Sequence, residues 1–434
     1  MPHFCHSLAL LLFLAVACRA PLPHVEPPVV AAVESTPDHA PVVIVGGGLA
    51  GLITAYELQK RGIASHVLEA SDVFGGRVQT AYYGDGLDGE FGMQEIWGDN
   101  PLLGVARELG VELDGDAEAP YSSMVIDGKF YPFVQETTEA YFESIFTSEE
   151  LGRLRAWMAK AKELRAIALT EGLRSAEVKK LQMTTFANWV ASFAMPKKVN
   201  DWLRLTIECE LATDWESFSG AVGLLEFGVF LGEGEPNYHV KGGNSRLIQA
   251  LVKAVPGKTL SATVTRIERV KGADGRIAAT VSYLKGGKVS TITADRVVVA
   301  VPFFRLHQIE FAPGLSDEKW QAALTLTRGQ YTVVHLLGNK TARRLWQING
   351  ESPFPVLTDG PLGVVYGVIR ESPDTQPVEV FSLLIHGAAA GGFHMVPREM
   401  KVRELLDALD QLWPGLGREV VASHVYTYHP ASIA

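Results

Sequence analysis

Cysteine is scarce in this chain. Its 434 residues hold three, Cys5, Cys18 and Cys209, too few for a disulfide framework or a Cys-rich metal site. No metal is expected. Basic charge is short as well: 39 Lys and Arg stand against 49 Asp and Glu, a net charge of −10. That balance excludes a nucleic-acid binder with a broad basic face. The apolar run Leu8 to Ala17 is shorter than the ~20 residues a membrane-spanning helix needs. Apolar content is not short. With 47% hydrophobic and 20% charged residues, the chain is globular rather than disordered. Its length suits two or three domains. Glycine, at 42 residues, exceeds its usual share, so several tight turns or close backbone approaches are expected.

The N-terminus reads as a processing segment. Leu8 to Ala17 has the length of a secretory h-region, and Ala15-Val16-Ala17 is a small-residue cleavage pattern. With Cys18 it also resembles a lipoprotein box, although Ala15 replaces the usual Leu and no Lys or Arg precedes the run. Export is expected, periplasmic or extracellular, with a lipid anchor at Cys18 as one form of it. A misassigned start upstream of a cytoplasmic enzyme is the alternative. Residues 18–40 are rich in Pro, Ala and Val and read as an extended tether.

The densest chemistry begins at residue 41. Pro41-Val42-Val43-Ile44-Val45 has the composition of a buried parallel strand. Gly46-Gly47-Gly48-Leu49-Ala50-Gly51 follows, then a helical stretch closed by Gly62. A second strand ends at the acidic Glu69. This is a complete dinucleotide fingerprint: strand, Gly-rich turn, helix and acid. Gly46 permits the turn, Gly48 lets backbone amides approach a pyrophosphate, and Gly51 lets the helix pack on the strand. The phosphates would meet the positive helix N-terminus. Glu69 can accept both hydroxyls of an adenosine ribose, and its charge would repel a 2′-phosphate, which argues against NADP.

Next come Ala70-Ser71-Asp72-Val73-Phe74-Gly75-Gly76-Arg77-Val78-Gln79-Thr80 and then Asp88-Gly89-Glu90-Phe91-Gly92-Met93-Gln94-Glu95-Ile96-Trp97. Further on stand Lys241-Gly242-Gly243-Asn244-Ser245, the strand around Val264-Thr265-Arg266-Ile267, and Ile309-Glu310-Phe311-Ala312-Pro313-Gly314. In their order and spacing these segments resemble the flavin-containing amine oxidase superfamily, which includes monoamine, polyamine and L-amino acid oxidases. The resemblance covers residues 41–340. It implies an α/β fold: a Rossmann-like FAD-binding domain interleaved with an α+β substrate domain that carries a helical insertion. The expected division is 41–115 and 236–312 for FAD binding, and 116–235 (largely helical) and 313–434 for the substrate domain.

The resemblance also implies a non-covalent FAD site. It would use Gly46, Gly48, Leu49, Ala50, Gly51, Glu69, Ala70, Gly76 and Arg77, with the backbone of Gly92, Met93, Gln94 and Glu95 along the flavin. The backbone of Val264 would meet the adenine. Arg77 can pair with phosphate. No catalytic residue is assigned, because in this family the flavin carries the reaction and the protein supplies orientation, dryness and a neutral amine. Many members hold a Lys near the flavin on the strand that corresponds to Tyr331 to His335. No Lys occurs there; His335 is the ionisable side chain of comparable reach, and it stands out of register. The family also closes with a Gly-rich segment that this sequence, ending at Ala434, does not contain. A fragment, a second chain that supplies the segment, and a weakened truncated product are the three readings of that.

The substrate half is less legible. Residues 135–230 are helical in pattern, with Ser148-Glu149-Glu150 opening one helix. Trp189, Phe193, Trp202 and Trp215 read first as packing. Trp97, Tyr238, Tyr331 and Tyr366 are the substrate-pocket candidates. The function expected is oxidation of a small amine or amino acid by hydride transfer to FAD, with oxygen as acceptor and peroxide as product. Two alternatives stay open: a flavin-dependent desaturase or isomerase acting on an apolar substrate, and a non-catalytic or partner-dependent subunit.

Overall fold

The computed structural model describes residues 36–428 apart from 85, 99, 118–120, 135–136, 232–235, 272–274, 327, 370–378 and 394. The leader at 1–17 and Cys18 lie outside the described residues, as does most of the tether and the final His429 to Ala434.

The apolar run at 41–45 becomes the strand His39–Val45, hydrogen-bonded on both edges. It runs parallel to Ser65–Leu68 on one side and to Lys288–Val299 on the other. Its two faces are both covered. Val42 and Ile44 pack with Leu52, Ala55, Leu247, Ile248 and Leu251 of two helices, Leu49–Lys60 and Ser245–Ala254. Val43 and Val45 pack with Leu68, Val264, Val281, Tyr283 and Ile292 on the opposite side. Burial on both faces explains an uninterrupted apolar run instead of an alternating one. The seven-stranded sheet continues outward through an antiparallel hairpin, Ile277–Lys285 with Lys288–Val299, to Thr263–Lys271 and the parallel edge strand Glu310–Ala312. Lys258–Thr259 forms the other edge.

A second seven-stranded sheet draws on Ser123–Ile126, Lys129–Tyr131 and Val356–Thr358, then Val364–Ile369, Glu379–His386, Tyr331–Gly338 and Val420–Thr427. Tyr331–Gly338 is buried along nearly its whole length. Val333 faces the helical insertion, whereas Val334 and Leu336 face Leu405 and Leu409 of the helix Arg398–Leu412. The insertion runs through Ser148–Thr170 and Lys197–Leu211, and its core is aromatic: Trp157, Phe186, Trp202 and Phe227 are all fully buried. Trp189 and Trp215 join them as packing. The chain is thus α/β, with a Rossmann-like dinucleotide-binding unit interleaved with a mixed-sheet unit that carries helices.

One local detail differs from the sequence reading, and two others shape the first sheet. The helix at 148 is capped one residue earlier, by a Thr147–Glu150 capping box, which satisfies two backbone donors reciprocally. Residues 289–293 and 296–299 lie on one strand, Lys288–Val299. The segment 259–270 is interrupted at Ser261, whose φ is +52°, so that its two halves join different parts of the sheet.

Candidate active site

The dinucleotide end is built on the turn between His39–Val45 and the helix Leu49–Lys60. A Cβ on Gly51 would lie 1.9 Å from the Gly46 carbonyl oxygen, so helix and strand approach at a distance only glycine allows. The N-cap, Gly48, brings no side chain, and no side chain caps the first helical turn. Its orphan amides therefore have no side-chain acceptor of their own. Gly48 forms an isolated bridge to Gly75, and Gly76, with φ +57°, sits so close that a Cβ there would come within 3.3 Å of the Gly48 Cα. Exposed Arg77 follows directly. These residues leave a backbone-lined cradle with a cation at its rim, which is the donor set a pyrophosphate requires.

Glu69 is fixed at the end of the neighbouring strand. Its Oε2 accepts from the Gly47 amide at 2.5 Å, and its Oε1 accepts from the Ser71 amide at 2.9 Å and hydroxyl at 3.0 Å. A carboxylate offers about four acceptor sites, and these three bonds leave one for a ribose hydroxyl. Ala70 sits between these two partners. The Glu69 carbonyl accepts from the Ala262 amide, and Val264, buried two residues on, belongs to the same core cluster as Leu68.

The segment expected along the flavin is held by a polar network that the sequence reading did not single out. Both Glu90 carboxylate oxygens accept from Thr80 Oγ1, at 2.9 and 3.0 Å, and Oε1 also accepts from the Asn244 amide at 2.7 Å. Asn244 is fully buried. Its Nδ2 donates to the carbonyls of Met93 and Gln94 at 2.6 and 3.1 Å, and its Oδ1 accepts from the Val240 amide. Glu95 accepts from Asn237 Nδ2 at 2.9 Å. Gly92 is jammed against its neighbours: a Cβ would lie 1.8 Å from the Arg77 carbonyl oxygen.

Over this segment stands an aromatic wall. Phe91 stacks on His335 (centroids 4.2 Å apart) and on Tyr426 at 5.3 Å, and Tyr426 meets Tyr428 edge-on at 4.8 Å. Tyr331 and Tyr366 pack in the same cluster. Burial pushes the phenols of Tyr83, Tyr331 and Tyr428 up and the His335 imidazole down to about 3, so the wall is uncharged. The Tyr428 hydroxyl is buried with no hydrogen-bond partner among the described residues and lies against Gly92. An orphaned buried hydroxyl beside side-chain-free backbone fits a polar ring system such as a flavin.

The structure brings Gly46, Gly48, Leu49, Ala50, Gly51, Glu69, Gly76 and Arg77 into one end of the site and places Gly92 against the Tyr428 hydroxyl of the wall, while Met93 packs on the dinucleotide unit and Glu95 meets Asn237. Of the four pocket candidates, Tyr331 and Tyr366 pack against the same extended hydrophobic core as Phe91. Tyr331 turns its hydroxyl to donate to the Cys209 carbonyl at 2.9 Å. Tyr238 instead packs with the core of the dinucleotide unit, on a three-stranded sheet with Trp97 on the adjacent strand. Among the described residues no group of His, Cys, Asp and Glu could hold a metal ion.

A family model described as flavin containing amine oxidoreductase matches residues 49–431. The chain is 31% identical over 306 residues to Lysine-specific histone demethylase 1 homolog 2 of Oryza sativa subsp. japonica, which covers 67% of this chain. It spans only 36% of that relative's length. It is 24% identical over 391 residues to a probable flavin-containing monoamine oxidase A of Dictyostelium discoideum, covering 86% of this chain and 80% of the relative. Among solved structures, a putrescine oxidase bound to putrescine superposes with a TM-score of 0.76 at 21% identity, over 90% of this chain and 85% of that one. Cyclohexylamine oxidase from Brevibacterium oxydans IH-35A superposes with a TM-score of 0.70 at 20% identity, over 90% of this chain and 85% of that one. These superpositions establish the fold.

Proposed function

The chain belongs to the flavin containing amine oxidoreductase family, and from that premise we propose that it oxidises a small amine or amino acid with non-covalently held FAD, oxygen as acceptor and peroxide as product. The observation that carries this reading is the cradle of Gly48, Gly75 and Gly76, flanked by fixed Glu69 and exposed Arg77. Bound there, FAD supplies an acceptor for the hydride leaving the carbon beside the amine nitrogen. The chain's own residues do the rest. The first-turn amides and Arg77 would hold the phosphates, Glu69 the ribose, and the backbone of Gly92 to Glu95 the flavin. The uncharged wall of Phe91, His335, Tyr426 and Tyr428 excludes water and disfavours an ammonium ion. That selects the neutral amine, whose lone pair hydride loss requires. Leader-like Leu8 to Ala17, outside the described residues, supports an exported protein.

The test is to purify the full chain, record its visible spectrum, and assay peroxide over a panel of amines and amino acids. Bound yellow flavin with peroxide from at least one substrate is expected. A chain that takes up no FAD sinks the reading and favours a partner-dependent subunit. Bound flavin without peroxide from any amine favours the second reading, a desaturase or isomerase of an apolar substrate. The neutral His335 and the apolar wall suit that reading.

A further inference from the structure

We propose that His335 is the positioning residue for the flavin-facing backbone, a single imidazole that sets the path of Gly89, Glu90 and Phe91. This inference rests on the proposed reading that the segment through Glu95 faces FAD. His335 is fully buried, and each of those three residues touches its ring. A Cβ on Gly89 would lie 2.7 Å from His335 Cε1, so the ring lies directly against that backbone. His335 Nε2 is 3.0 Å from the Glu90 carbonyl. A carbonyl only accepts, so Nε2 carries the proton and Nδ1 presents its lone pair. The Tyr83 hydroxyl donates to Nδ1 at 2.5 Å. Tyr83 thereby fixes the tautomer that holds Glu90. The Phe91 ring lies nearly parallel to the imidazole, with an interplanar angle of 10°.

The connection runs onward to the flavin-facing loop. The Glu90 carbonyl also accepts from Gln94 Nε2 at 3.1 Å. One acceptor therefore ties His335 to a residue of the expected cofactor surface. The Glu90 carboxylate, in turn, is held by Thr80 and Asn244. His335 adds a ring contact to a segment whose backbone already pairs with Thr80 and Ala81.

The experiment compares the full-length wild type with His335→Leu, His335→Gln and Tyr83→Phe. Three quantities are read: FAD affinity by titration of the apoprotein, the shape of the bound-flavin absorption band, and melting without FAD. His335→Leu is expected to weaken FAD binding about tenfold and to alter the band, while His335→Gln, which keeps a donor for Glu90, recovers most of both. Tyr83→Phe should weaken binding by about threefold, and it carries the test if the leucine variant does not fold. A lower melting temperature with unchanged FAD affinity and band shape in these variants makes His335 merely structural and overturns the inference. A wild type that binds no FAD overturns it together with the proposed function. A wild type that binds FAD alongside indifferent variants overturns it alone.

Discussion

His335 and His66 are neutral because burial strips water from the charged form. His335 is driven down to about 3 and His66 to about 4, from an ordinary value of 6.5. His386 and His424 shift in the same direction, also chiefly through burial. Above pH 6.5 these groups are neutral in both folded and unfolded chains. Below it, the unfolded chain takes up protons that the folded one refuses. For His335 and His66, stability is therefore fully present above pH 6.5 and drains away towards pH 4, by about 1.4 kcal/mol per pH unit for each of the two. Melting curves at pH 7.5 and pH 5 should show a clear drop in midpoint. His66→Gln should shrink the drop, because the amide does not titrate and can keep the bond that the ring makes with the Thr259 hydroxyl at 2.8 Å. A midpoint that does not fall between those two pH values contradicts the argument.

At the scale of elements, the meeting of the helix Leu49–Lys60 with the strand His39–Val45 is the tightest constraint. Gly51→Ala would drive a methyl into the Gly46 carbonyl. The expected loss is about 1–3 kcal/mol in denaturant titration, accompanied by weaker FAD uptake. An alanine variant with wild-type stability and FAD uptake would show that the helix can shift freely. This part of the site was legible in the sequence because turn, helix and acid lie within one short stretch. The network over the flavin segment was not. His335 meets Glu90 across 245 positions and Tyr83 across 252, and Asn244 meets Glu90 across 154. No local pattern signals such a meeting, and the one clue at 335 was a histidine, out of register, on the strand where the resemblance led one to look for lysine. In the strand Lys288–Val299 exposed Asp295 and Arg296 break the apolar run, although the backbone pairing passes straight through them. Tyr238 looked like a pocket residue by type. Its strand faces the dinucleotide unit, where Gly115 leaves room for the ring.

For the molecule as a whole, cofactor and fold should be coupled, since residues of both sheets converge on the site. Adding FAD at a hundredfold excess over Kd should stabilise the chain by about 2.7 kcal/mol, read as a rise in melting midpoint. Asn244→Leu should lower stability by about 2–4 kcal/mol and FAD uptake with it, because it leaves the Met93 and Gln94 carbonyls and the Val240 amide unpaired in the interior. Wild-type stability or unimpaired uptake in that variant would detach Asn244 from the site.

The pairing of the first strand has a consequence for synthesis. Asp38 accepts a hydrogen bond from Thr293, 255 positions downstream, and His39–Val45 takes Lys288–Val299 as its neighbour. At about 5–20 residues per second on the ribosome, the most apolar strand of the sheet waits on the order of 10–50 s for its partner. Through that interval one edge of a Val- and Ile-rich segment is open to any other strand nearby. A nascent chain of this protein therefore depends on chaperone cover more than its finished fold suggests, and overproduction at low temperature should give more of it in soluble form.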